Sequence, residues 1–320
     1  MSRPVPNALF MTELSAWGQK ALRRTLPTPV LLAAQPWAPM AIFCGADEPD
    51  IHVLDRKKGE LVRKLELPPG ARKGTDFRHF NFSPDGLCAA AYNSLDSSFA
   101  VWSLVDGSLK NHAEGMKQIP PVMCFMPGGR IALCDGPKIN TFTLGGTLLH
   151  TTPISDDLRS LLLFAPPSPR PVLVGVAVFR KGLGGHHLHS FHIENGIITG
   201  RQEGPYRPRP DKPDDNRLIN LFELLNIPGS TERILVVSEE EKLEKKASHR
   251  DWEYDYEYTT RILAVDPRRG MFYPSEVELQ GQHCLEQGDS ELRVIDEQGR
   301  RRRVTGFPLM LQNADWRLAE

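Results

Sequence analysis

The chain has 320 residues, 40% hydrophobic and 25% charged, with 39 Lys+Arg against 40 Asp+Glu. This is globular composition, enough for one large all-β domain or two smaller ones, and it excludes a disordered or collagen-like chain. A formal net charge of -1 supplies no strong pull toward nucleic acid or anionic lipid, so neither is expected as a partner.

The longest apolar stretch, Pro29 to Gly45, is broken by Pro36 and Pro39 and falls short of the roughly 20 residues a spanning helix needs. Arg23-Arg24 precede it, but the unbroken apolar core and small-residue cleavage site of an export signal are missing. The five cysteines (Cys44, Cys88, Cys124, Cys134 and Cys284) are odd in number and show no Cys-x-x-Cys spacing. They read as small buried hydrophobes of a reducing compartment, the cytoplasm, rather than a disulfide framework.

In chain order, residues 1–28 carry Leu9, Leu14, Trp17, Leu22 and Leu26, a pattern that suits either a strand pair or a short amphipathic helix. Six hairpins follow. They are IHVLDRKKGELVRKLEL from Ile51, FAVWSLVDGSLKN from Phe99, INTFTLGGTLLHT from Ile139, HSFHIENGIITG from His189, RILAVDPRRGMFYP from Arg261 and LRVIDEQGRRRRV from Leu292. Each is a short alternating strand, a polar turn with Gly, and a second strand. Most are preceded by another strand pair, clearest in FRHFNF, the turn SPDG and LCAAAYNS after Phe77. The unit is four strands over about 40 residues, the size of a propeller blade.

The FSPDG turn, the small-residue second strand and the Val101-Trp102 strand end resemble β-propellers of the WD-repeat type and their divergent relatives. The likeness spans Pro29 to Phe307 and is specific only around Phe77 to Gly107. The dipeptide is Val-Trp rather than Trp-Asp, no Gly-His opens a blade, and the hairpin spacing is uneven. The resemblance implies an all-β propeller, and the six hairpins with the two terminal segments give seven four-stranded blades, with six the alternative. Residues 1–28 and the C-terminal FPLMLQNADWRLAE would complete the ring by pairing first and last strands, which leaves no open sheet edge. Surface insertions are expected near 201–217, rich in Pro, and near 238–250, read as a charged loop or short helix.

From Asp251 the sequence alternates acids (Asp251, Glu253, Asp255, Glu257) with aromatics (Trp252, Tyr254, Tyr256, Tyr258). On a strand this puts four carboxylates on one face and four aromatics on the other. The aromatic face is a candidate protein contact. Arg300 to Arg303 place guanidinium groups on both strand faces, and Arg301 and Arg303 are further candidate contacts for a partner's carboxylate or phosphate. His187 and His189 share a strand face, but nothing nearby in sequence completes a metal site, so no metal and no cofactor are expected. No nucleophile elbow, P-loop or dinucleotide fingerprint is present. The expectation is a non-catalytic protein-interaction scaffold, a candidate component of a larger complex. The alternative is a propeller hydrolase with an axial metal held by His or by carboxylates such as Asp47, Asp50, Asp96, Asp135 and Asp156.

Overall fold

Alternating apolar residues separated by Asp-, Asn- and Gly-containing turns have one way to satisfy their backbone, which is to pair with the next stretch of the same kind. The computed structural model describes residues 29–34, 39–45, 49–93, 95–116, 122–166, 170–181, 185–203, 217–226, 233–244, 254–266, 271–281, 283–287, 292–296, 298–305 and 317–318. Among these it holds six four-stranded sheets, each an antiparallel meander of consecutive strands. The first three are β1 (Pro29–Ala34), β2 (Met40–Gly45), β3 (Ile51–Asp55) and β4 (Glu60–Leu65); β5 (Phe77–Phe82), β6 (Cys88–Asn93), β7 (Ser98–Ser103) and β8 (Leu109–Ala113); and β9 (Val122–Met126), β10 (Arg130–Asp135), β11 (Lys138–Thr143) and β12 (Leu148–Pro153).

The fourth contains β13 (Leu158–Phe164), β14 (Val172–Lys181), β15 (Gly185–Glu194) and β16 (Ile197–Glu203). The fifth contains β17 (Arg217–Asn226), β18 (Arg233–Glu244), β19 (Tyr254–Asp266) and β20 (Met271–Gln280). The sixth contains β21 (Cys284–Gln287), β22 (Leu292–Ile295), β23 (Arg301–Thr305) and β24 (Arg317–Leu318). The helix among the described residues is one 3-10 turn, Gly74–Asp76. Residues 1–28, expected to add a strand pair or a helix, lie outside the described residues.

Five of the expected hairpins are the third and fourth strands of their sheets. The sixth, β22–β23, is instead a second–third pair, and the C-terminal stretch adds β24 beside β23. Four of the third–fourth pairs carry the same irregularity. Their register shifts between Val53/Leu54, Val101/Trp102, Thr141/Phe142 and His192/Ile193, each time just before the next-to-last residue of the third strand. One extra residue on the fourth strand (Val62, Lys110, Leu149 or Thr199) forms the bulge, and a bulge bends and twists its strand. A device repeated at one place in four sheets marks the repeat as structural and not only compositional.

The described chain falls into two compact units that divide between Pro153 and Ile154. In the N-terminal unit the sheets pack face to face through period-two alternation along β6. Ala89 and Ala91 join Ile42, Val53, Phe77 and Trp102 against the first sheet. Ala90 and Tyr92 join Met123, Phe125, Ile131 and Leu133 against the third. Small residues on the central strand let both neighbouring sheets approach. Trp102 locks the first interface. It is fully buried, edge-on to Phe77 at 5.1 Å, and its Nε1–H donates to the Glu66 carbonyl of the preceding sheet at 2.7 Å.

In the C-terminal unit the fourth and fifth sheets pack through Phe164, Val174, Val176, Val178 and Leu188 against Leu263, Val265 and Phe272. The Phe272 amide donates to Gln202 Oε1 at 2.7 Å across that interface.

The expected charged loop or helix after Ser238 takes another form. β18 runs through Glu244, paired residue for residue with β19 as far as Tyr254. Cross-strand pairing satisfies this polar backbone even though its side chains favour helix.

Cys44, Cys124 and Cys134 are buried and Cys88 is half-buried, in line with their reading as small hydrophobes. Burial, reinforced by the adjacent Asp135 carboxylate, pushes the Cys134 thiol up to about 12. The thiolate is the reactive species, so native protein treated with iodoacetamide at pH 8 is expected to leave Cys134 unmodified. Peptide mapping after unfolding in urea should then show it fully alkylated. Native labelling of Cys134 would contradict its placement. No helix among the described residues is long and apolar enough to cross a membrane.

Candidate functional site

The clearest cluster of chemically capable side chains lies on β14–β16, at the end of the fourth sheet away from the β15–β16 turn. That turn is Asn195-Gly196, both at positive φ (50° and 79°), which is the two-residue geometry whose twist matches paired strands. Counting back from it without a bulge would place Glu203 opposite Leu188. The extra Thr199 shifts the register by one, so Glu203 pairs with His189 instead. A one-residue slip moves a whole strand face, and here it brings Glu203 onto the face of His187 and His189. His192 Nδ1 lies 2.7 Å from the Thr199 hydroxyl, which anchors the bulge.

The ligand-capable atoms of His187, His189 and Glu203 all lie within 4.8 Å of one another. His187 Nδ1 and Glu203 Oε1 are 2.6 Å apart. The two imidazoles run nearly parallel, with centroids 6.3 Å apart. Phe179 meets His189 edge-on at 5.3 Å, and Arg201 lies over the Phe179 ring at 5.0 Å. Arg201 Nε–H points at His189 Nδ1 from 3.4 Å. Burial, then the positive Arg201, lowers the His189 pKa against the opposing pull of Glu203. The neutral ring is therefore favoured, with its Nδ1 lone pair turned toward Arg201.

Of the residues singled out for partner contact, Trp252 lies outside the described residues. Tyr254, Tyr256 and Tyr258 occupy β19 opposite Glu244, Lys242 and Glu240 of β18. β17 pairs with β18 only as far as Glu241, and β20 pairs with β19 only from Thr259. Lys242–Glu244 and Tyr254–Tyr256 thus form a two-stranded ribbon that outruns both flanking strands among the described residues, while Tyr258 lies opposite Glu240, which still pairs with β17.

Arg301 and Arg303 sit on β23 opposite Ile295 and Arg293 of β22, and Arg301 is exposed. Register places Arg293, itself exposed, on the same face. Its isolated position in the run Leu292–Ile295 gave it no sequence signal. Arg300 instead closes its own turn, with Nε 2.6 Å from Asp296 Oδ2. Of the carboxylates considered for an axial metal, Asp96 caps its turn by accepting from the Ser98 amide and from Asn93 Nδ2. Asp50 pairs with Lys64. Asp47 lies outside the described residues.

No family model matches the chain, and no curated protein matches it by sequence. Solved structures do match by fold. Hydrazine synthase of Kuenenia stuttgartiensis aligns with 87% of this chain and 77% of its own at 11% identity, with a TM-score of 0.50. The WD40 domain of Neurospora crassa Pan2 aligns with 91% and 78% at 11% identity (TM-score 0.46). BamB from Moraxella catarrhalis aligns with 86% of each chain at 9% identity (TM-score 0.46). Successive four-stranded antiparallel meanders, packed face to face within each unit, decide the fold. It is a divergent β-propeller. In propeller terms, the His-Glu cluster lies on the third and fourth strands of one blade, and the ribbon extends the second and third strands of the next.

Proposed function

We propose that the chain is a non-catalytic protein-interaction scaffold whose main contact is the β18–β19 ribbon. The observation that carries this reading is the ribbon's overhang beyond β17 and β20 among the described residues. A two-stranded hairpin standing alone is marginal in water, and its backbone edges invite a further strand. Aromatic positions on such an element are where interfaces concentrate their binding energy. The Arg293, Arg301 and Arg303 positions of the sixth blade supply a basic face for an acidic partner, which favours orientation and association rate more than affinity. This rests on position and chemistry, since a propeller hosts many functions.

The test is a quantitative pull-down from native extract with wild type and a Tyr254→Ala/Tyr256→Ala variant whose folding is verified by thermal melting. Two interface tyrosines at about 2 kcal/mol each predict capture reduced at least ~10-fold. Equal capture by the two proteins would remove the ribbon from the interface.

A further inference from the structure

We propose that His187, His189 and Glu203 form a three-ligand site for a divalent transition metal, zinc above all, with a fourth position open to water or to a donor from a partner. The three donors come from adjacent strands and lie within 4.8 Å of one another. Tetrahedral zinc with bonds of 2.0–2.2 Å sets its donors about 3.4 Å apart, so His187 Nδ1 and Glu203 Oε1, now at 2.6 Å, would open by less than about 1 Å. Two imidazoles and one carboxylate match the borderline preference of zinc, whereas magnesium and calcium want oxygen donors throughout. The two histidines stand two residues apart on one strand, where His189 pairs with both β14 and β16 and His187 pairs with β14, so the sheet holds their backbones.

The His187 side chain is 21% exposed and Glu203 53%. The ligand set is therefore open on one side, as a site that exchanges its fourth ligand requires. Arg201 is the counterweight. Its cation stands beside His189 and opposes a second cation there, so the site binds more weakly than a closed structural one. A metal that recruits a fourth donor from another protein would serve the scaffold role, but its binding to this chain does not depend on that role.

Isothermal titration calorimetry of chelator-treated full-length protein with zinc chloride tests the site directly. Wild type is expected to take up one equivalent. His187→Ala and Glu203→Gln should each weaken binding at least ~10-fold. Arg201→Gln should strengthen it about three-fold or more by removing a repelling charge. His283→Ala, away from the cluster, should change nothing. Cobalt substitution should give the intense visible absorption of a tetrahedral ion in wild type and lose it in Glu203→Gln. Lack of stoichiometric uptake, or uptake insensitive to Glu203→Gln in a protein that melts like wild type, would overturn the site. A weakening by Arg201→Gln equal to that of the ligand variants would overturn the assigned ligand set.

Discussion

Truncating Trp102 to alanine is expected to cost about 3–5 kcal/mol of unfolding free energy, the range for deleting a large buried aromatic. With melting shifts of roughly 2–4 °C per kcal/mol for a chain portion of this size, the melting temperature should fall by about 10 °C. The cost is large because one side chain performs two tasks. Its ring fills the interface between the first two blades, edge-on to Phe77 and stacked at 6.1 Å on Phe80. Its Nε1–H satisfies the Glu66 carbonyl, whose residue also accepts from the Leu109 amide through Oε2 at 3.1 Å. Trp102→Phe separates the two tasks. It keeps most of the packing but orphans the Glu66 carbonyl, so about 1–3 kcal/mol is expected. Urea denaturation of both variants measures the difference. A loss below about 1 kcal/mol for Trp102→Ala would show that the ring does not hold the blades together.

The Trp102 example also shows what the sequence made legible. The hairpins could be read because turn chemistry is local. Asp55 accepts from the amides of Lys57 and Lys58, and Ser83 and Asp85 close the SPDG turn with the Cys88 and Leu87 amides. The small residues Ala89, Ala90 and Ala91 likewise marked a strand, and their size is what lets it be buried on both faces. What could not be read depends on register or on distant partners. Glu203 reaches His189 only through the Thr199 bulge, and nothing about threonine at that position forecasts an unpaired residue. The strand through Glu239, Glu240 and Glu241 lacks alternation and is specified by pairing with β19. Arg293 joined the basic face because β22 happens to lie beside β23. Local chemistry thus disclosed the blades, while the bulges that decide which side chains meet stayed hidden.

Gly107 gives the second large effect, and its size follows from comparison with another glycine. Both Gly107 and Gly70 have positive φ, +80° and +84°, so any other residue is strained at either position. Around Gly70 an added Cβ would meet nothing within 4 Å, whereas at Gly107 it would lie 2.2 Å from the Lys64 carbonyl oxygen. That approach is fixed from both sides. The Gly107 carbonyl accepts from the Glu66 amide at 2.9 Å and its own amide donates to the Ser103 carbonyl at 2.9 Å, so relieving the clash means breaking the contact between the blades. Gly70→Ala should therefore cost only backbone strain, about 1 kcal/mol. Gly107→Ala should cost that strain and the displacement of packed backbone, about 3–5 kcal/mol together. Chemical denaturation of the pair reads the difference, and equal losses would mean that the turn of the second blade can move away from β4 freely. Because the Gly107 turn and the Trp102 indole both bind the segment around Glu66, the Gly107→Ala/Trp102→Ala double variant should lose less than the sum of the single losses. Strict additivity would show instead that the blades are held at two independent points.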